Sequence, residues 1–102
     1  MNTLNNTYDE FEKIIYERGL RILAAHFHKD IDLMLIVLNN KKTIKRAISD
    51  FRTLKKAKIS QLENYKLIGK GTGIHWPELD EDLSLKGFLR YELANNDNLM
   101  VA

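Results

Sequence analysis

The sequence predicts a small α+β domain, an antiparallel sheet of about four or five strands with an N-terminal and a C-terminal helix packed on one face. Three observations predict it. Apolar residues at helical spacing stand out near the two ends, at Tyr8, Phe11, Ile14 and Ile15 and again at Leu85, Phe88 and Leu89. Between them lie short apolar runs bounded by turn residues, the pattern of strands. Gly69, Gly71 and Gly73 fall at alternate positions just before Ile74, His75, Trp76 and Pro77, which suits a tight β turn better than a helix. The 102-residue length fits one domain with a core of its own.

Taken in order, Thr7 and Glu10 form a capping box for the first helix, and Gly19 ends it. Leu20 to His28 reads as a strand, Asp30 to Asp32 as a turn, and Leu33 to Leu38 as a second strand. Six consecutive apolar residues there require both faces to be covered or a central position in the sheet. Asn39, Asn40 and Lys41 turn the chain into a third strand, Lys42 to Ile48, with Ile44 and Ile48 facing inward. Ser49 or Asp50 caps a short helix holding Phe51 and Leu54, and Ser60 with Glu63 boxes a second around Leu62.

Tyr65 to Ile68 makes a fourth strand, and Ile74 to Trp76 returns after the glycine turn. Pro77 stops it, because it lacks a donor and holds Trp76 extended, and the chain turns through Glu78 and Leu79. Ser84 caps the closing helix, Leu85 to about Ala94, with Asp80, Glu81 and Asp82 set against the positive end of its dipole. The expected core is Leu23, Leu35, Val37, Ile44, Phe51, Leu54, Leu62, Ile74, Leu79, Leu85, Phe88 and Leu89. Residues 1–19 are thus an amphipathic helix, 20–94 the domain proper, and 95–102 a mobile tail.

Composition narrows the function. Cysteine is absent, which excludes disulfides and thiolate metal sites and fits the cytoplasm. The start is polar and acidic rather than basic then apolar, and no run approaches the length needed to span a bilayer, so a soluble protein is expected. Net charge is +2, unevenly placed. Lys41, Lys42, Lys45, Arg46, Arg52, Lys55, Lys56 and Lys58 crowd one stretch against the single acid Asp50, leaving the remainder net acidic.

Each chemical motif has a structural counterpart. His26 and His28 sit two apart, on one face of a strand, and His75 could supply a third metal ligand, yet exposed histidines at a strand end are common. Asp80, Glu81 and Asp82 could hold a cation, but successive carboxylates in extended chain point apart, and the helix terminus accounts for them. The run from Gly69 to Gly73 lacks Walker spacing and is followed by a strand where a phosphate loop needs a helix. The sequence therefore implies no catalytic residue, no metal and no cofactor.

The run YKLIGKGTGIHWPELDEDLSLKGFL, Tyr65 to Leu89, closely resembles the bacterial family called domain of unknown function 2442. Its hallmark is a glycine-rich turn, an I-H/E-W segment, an LDEDLS-like run and a closing GLL or GFL. The resemblance extends more loosely back through ILAAHFHKDIDLMLIVLNNKKTIKRAISDF, Ile22 to Phe51. Many relatives carry prolines near the positions of Ala47 and Arg52, which this chain lacks. No biochemical activity is established for the family. Its genes often lie beside those of another small family, domain of unknown function 4160, which implies a toxin and antitoxin-like pairing.

The reading that results is a non-enzymatic interaction module with a protein partner, antitoxin-like toward a neighbouring gene's product. Trp76 is the expected aromatic anchor, with Asp80 and Asp82 meeting basic residues of the partner. The alternative is nucleic-acid binding through the eight basic residues between Lys41 and Lys58, although no recognised binding motif accompanies them. The sequence does not decide the oligomeric state.

Overall fold

The protein's computed structural model describes residues 9–95. Helix α1 (Glu10–Glu12) starts at Asp9, whose carboxylate accepts the Glu12 N–H at 2.9 Å while the Glu12 carboxylate accepts the Asp9 N–H at 3.1 Å. The capping box therefore joins Asp9 and Glu12, two residues later than Thr7 and Glu10; Thr7 and Tyr8 lie outside the described residues. The helix widens into a π turn, Lys13–Glu17, that buries Ile15, and Gly19 follows at φ 76°.

Strands β1 (Ile22–His28), β2 (Leu33–Leu38) and β3 (Thr43–Arg46) form one antiparallel sheet in that order. After α2 (Arg52–Lys55) and α3 (Ile59–Glu63), strands β4 (Lys66–Ile68), β5 (Gly73–Trp76) and β6 (Glu81–Ser84) form a second, and α4 (Leu85–Asn95) closes the domain. The α+β class is the expected one, with the strands shared between two sheets rather than one. A side chain occupies part of the edge where the sheets could have joined: the Ala25 N–H on β1 donates to the Tyr65 hydroxyl at 3.0 Å.

Several boundaries shift for local reasons. Gln61 accepts the Lys58 N–H at 2.9 Å, so α3 is capped from Lys58 rather than by a box of Ser60 and Glu63. The turn before α2 is anchored from β2's start. Asp32 accepts the Ser49 hydroxyl and, at 2.9 Å, its N–H, and these bonds hold the carboxyl below its ordinary value. Ser84 does cap α4, accepting the Gly87 N–H at 3.0 Å. The acids before it, however, do not approach the helix end as a loop, because Glu81 to Ser84 pairs with β5 as a strand. The helix runs through Asn95, and the rest of the expected mobile tail lies outside the described residues.

The inward face of β2 is the reverse of the one expected, and on β1 Leu23 turns outward. Ile22, Ala25, Phe27, Met34, Ile36 and Leu38 are buried, whereas Leu23 is 58% exposed and Leu35 and Val37 are half-buried on the outer side. A bulge between Ile22 and Ala24 breaks simple alternation in β1 and puts Ile22 and Ala25 on one face. In β2 either parity buries three apolar side chains, so the pattern alone cannot choose. The other expected core residues keep their side: Ile44, Leu54, Leu62, Ile74, Leu85 and Phe88 are buried, with Phe51, Leu79 and Leu89 packed against them.

The two sheets and the helices share one core. Its centre is Trp76, 0% exposed, whose indole N–H donates to the Leu62 carbonyl at 2.9 Å and whose ring meets Phe27 edge-on at 6.2 Å. The glycine turn closes against it from the side. Gly71 sits at φ 101°, and a Cβ there would stand 2.8 Å from the Ile22 carbonyl oxygen, so only glycine fits.

The N-terminal helix is a packed layer of this core. Beyond Ile15, it is held to α4 by Lys86, whose ammonium lies 3.0 Å from both Asp9 and Glu12, and by Arg90 at 3.6 Å from Asp9. The backbone N–H of Glu12 and the Lys86 ammonium hold the Asp9 carboxyl low; Lys86, then the Asp9 N–H, does the same for Glu12; and the two acids hold Lys86 high.

Two outcomes follow. Phe88→Ala, at a side chain 2% exposed and edge-on to Phe51, should cost on the order of 3 kcal/mol in urea denaturation. The acid contribution is complete above the ordinary values, 3.8 for Asp9 and 4.5 for Glu12, and fades as pH falls through the lowered folded values. That of Lys86 is complete below 10.5 and fades as pH rises through its raised value. Amide protection of residues 11–17 should therefore drop in acid while β1 and β2 stay protected, and Lys86→Met should produce the same selective loss at neutral pH.

Candidate functional site

The side chains expected at a site are not brought together. Trp76 is the centre of the core rather than a surface anchor, because its one polar atom is already satisfied inside by Leu62. Asp80 lies exposed in the turn after Pro77 at φ 51°. Asp82 stands opposite His75 across the β5 and β6 ladder, and the His75 Nδ1 and an Asp82 carboxylate oxygen share a hydrogen bond. His26 and His28 lie exposed on the first sheet, away from that pair. Among the described residues no group of three or more His, Cys, Asp or Glu side chains is placed to hold a metal ion.

The basic stretch is contiguous in sequence and divided in space. Lys41 and Lys42 stand at the β2 to β3 hairpin, while Arg52, Lys55, Lys56 and Lys58 lie past the far end of β3, a strand of roughly 13 Å by the usual rise. Lys45, between them, faces outward from β3. Arg46 faces inward and is committed: its guanidinium stacks 3.5 Å from the centre of the Tyr91 ring and 4.6 Å from that of Phe51, and it pairs with Asp50 at 3.3 Å. It clamps α4 onto the sheet and is withdrawn from any phosphate.

Two surfaces that the sequence reading missed are open instead. The first is the outer face of the β1 to β3 sheet. Leu33, Leu35 and Val37 line its middle, flanked by His28, His26 and Ala24 on β1 and by Lys45 and Thr43 on β3. Leu33, Leu35 and Val37 are neither in the core cluster nor among the residues packed against it, and none of the three strands carries an acidic residue. The unbroken apolar run of β2 was the available signal, since it asked for cover on both faces.

The second is a cavity of about 700 Å3 between α1, α4 and the β2 to β3 hairpin. Phe11, Ile14, Leu20, Leu38, Ile44, Leu89 and Leu93 form its apolar walls, with Glu10 and Glu92 on the helical rim and Asn40, Lys42 and Thr43 on the hairpin rim. Concave and apolar with a few polar groups at the mouth, it has the make-up of a binding groove. Nothing local in the sequence marks it, because its walls come from four separate stretches of chain.

This architecture, two small antiparallel sheets closed by a C-terminal helix, defines a compact α+β domain. The family model described as "Protein of unknown function (DUF2442)" matches residues 22–94, and the chain belongs to that family. A crystal structure of a protein of unknown function from Rhodospirillum rubrum ATCC 11170 is similar at 29% identity, with a TM-score of 0.62 over 72% of this chain and 88% of that one. The solution structure of the uncharacterized protein CV0863 from Chromobacterium violaceum shares the fold at 20% identity, with a TM-score of 0.66 over 99% of this chain and 92% of that one. That likeness therefore takes in the N-terminal layer. No curated protein is significantly similar to the chain. Among the described residues no helix is long and apolar enough to cross a membrane.

The two open roles separate by stability. Trp76→Ala should cost about 3 to 5 kcal/mol, as for a buried aromatic, whereas Leu35→Glu on the outer face should cost less than about 1 kcal/mol, both read from urea denaturation.

Proposed function

We propose that the chain is a non-catalytic protein-interaction module whose partner docks on the outer face of the first sheet. The observation that carries this is β2, a central strand that is apolar on both sides while only its inner side is packed into the core. An antiparallel sheet open to water ordinarily turns polar residues outward, and a contiguous apolar stripe on such a face marks an interaction surface. Its border selects the partner. With His26, His28 and Lys45 around Leu33, Leu35 and Val37 and no acid on β1, β2 or β3, the complementary surface is apolar with an acidic rim.

The non-catalytic reading is supported by the conspicuous polar and aromatic residues having structural work. Trp76 centres the core, Asp82 braces His75 across a ladder, Ser84 caps α4 and Gly71 closes a turn. The gene pairing implied by the family resemblance makes the neighbouring gene's product the first partner to try, in an antitoxin-like role. Tagged chain mixed with that product should capture it, and Leu35→Glu should abolish capture while Asp80→Ala leaves it intact. Capture indifferent to Leu35→Glu, or salt-sensitive duplex binding without capture, would overturn this reading.

A further inference from the structure

Among the described residues no strand pairs with the outer edge of β3. The β2 to β3 hairpin is a type I turn with a following bulge: the Lys41 N–H donates to the Leu38 carbonyl at 3.1 Å, Lys41 sits at φ 71°, and the Leu38 N–H donates to the Lys42 carbonyl at 2.9 Å. That bond sets the phase of the ladder. Ile44 and Arg46, opposite Ile36 and Met34, turn their backbone groups toward β2, so Thr43 and Lys45 turn theirs outward. Among the described residues no side chain or loop hydrogen-bonds those outward groups. The sheet's other edge is treated differently, since Tyr65 covers the Ala25 N–H of β1.

A free edge alone is ordinary, and Lys45 is the kind of residue that discourages indiscriminate pairing. What sets this edge apart is the apolar cavity alongside it, on the inner side of the sheet, walled by Thr43 and Ile44 on one flank and by Leu89 and Leu93 of α4 on the other. A strand added to β3 would alternate its side chains between two environments. Those level with Ile44 would enter the cavity, and those level with Thr43 and Lys45 would emerge on the outer face.

We propose that β3 is extended by a strand from the partner, with apolar inward side chains filling the cavity beside Ile44 and acidic outward side chains facing Lys45. This rests on the interaction reading above and names the segment that the partner supplies. A second copy of the chain fits poorly, because pairing β3 with β3 about a two-fold axis would set Lys41, Lys42 and Lys45 of the two chains alongside one another. A heterologous strand with acids on its outer side meets the same three lysines as counter-charges.

The probe is a short capped peptide alternating glutamate and valine, with one alternating lysine and valine as control, added to isotopically labelled full chain. The glutamate peptide should slow exchange of the Thr43 and Lys45 amides and bind more than about tenfold tighter than the lysine peptide, and Lys45→Glu should reverse that order. Thr43→Pro removes an outward donor that the fold does not use, so it should keep the thermal midpoint and lose the peptide. Leu93→Glu, on the exposed wall of the cavity, should lose it as well. Absence of added protection with the glutamate peptide overturns the proposal, and so does protection of both outward amides before any peptide is added, which would assign the edge to the chain itself or to a second copy. Should Thr43→Pro still capture the neighbouring gene's product while Leu35→Glu does not, the outer-face reading stands and the strand is discarded.

Discussion

A buried indole must have its single N–H satisfied, and in this protein it is satisfied inside the core, at the Leu62 carbonyl. That requirement joins elements distant in the chain. Trp76 comes from β5, Leu62 from α3, and the ring it meets edge-on, Phe27, from β1; Phe27 in turn meets Tyr65 edge-on at 6.0 Å. Tyr65 then uses its hydroxyl on the β1 backbone. The second sheet is thereby held to the first through aromatic contacts and one side-chain hydrogen bond, without a shared strand ladder. Pro77 keeps Trp76 extended, and the turn behind it is closed by the Leu79 N–H on the Trp76 carbonyl at 3.1 Å.

With the inner face of the first sheet engaged by this core, its outer face and its β3 edge lie outside the core among the described residues. Arg46 shows how the division is enforced. A cation that in sequence belongs to a basic run is drawn inward between Tyr91, Phe51 and Asp50, where it fixes α4 against β3 and so shapes the wall of the cavity. Its neighbour Lys45 points the other way because strand side chains alternate. One strand thus supplies a structural cation and a surface cation in succession, and the exposed positive charge is smaller and more divided in space than the linear sequence suggests.

The N-terminal layer follows a similar logic. Asp9 and Glu12 cap their own helix and at the same time hold Lys86 of α4, so the capping box doubles as a tether. The shift of the box from Thr7 to Asp9 is physically apt, since a hydroxyl at the cap could not have provided a charge for Lys86.

By itself the sequence determined the local events: where Gly19 and Gly71 force a turn, that Pro77 ends a strand, that Ser84 starts the last helix, and that the strands and helices mix as α+β. These depend on backbone freedom, missing donors and capping groups within a few residues, which the chain carries in plain order. The family hallmark from Tyr65 to Leu89 was legible for the same reason, being one contiguous stretch that holds the two hairpins of β4, β5 and β6 and the cap of α4. Only the tertiary structure decided which face of β2 is inward, because Leu33, Leu35 and Val37 are as apolar as Met34, Ile36 and Leu38 and a bulge at Leu23 reverses the phase of β1. It alone decided that Trp76 is core, since exposure depends on what Leu62 and Phe27 bring to it, and that Lys41 and Lys55 lie at opposite ends of a sheet. Parity, burial and proximity are set by contacts between distant segments, and no spacing along the chain encodes them.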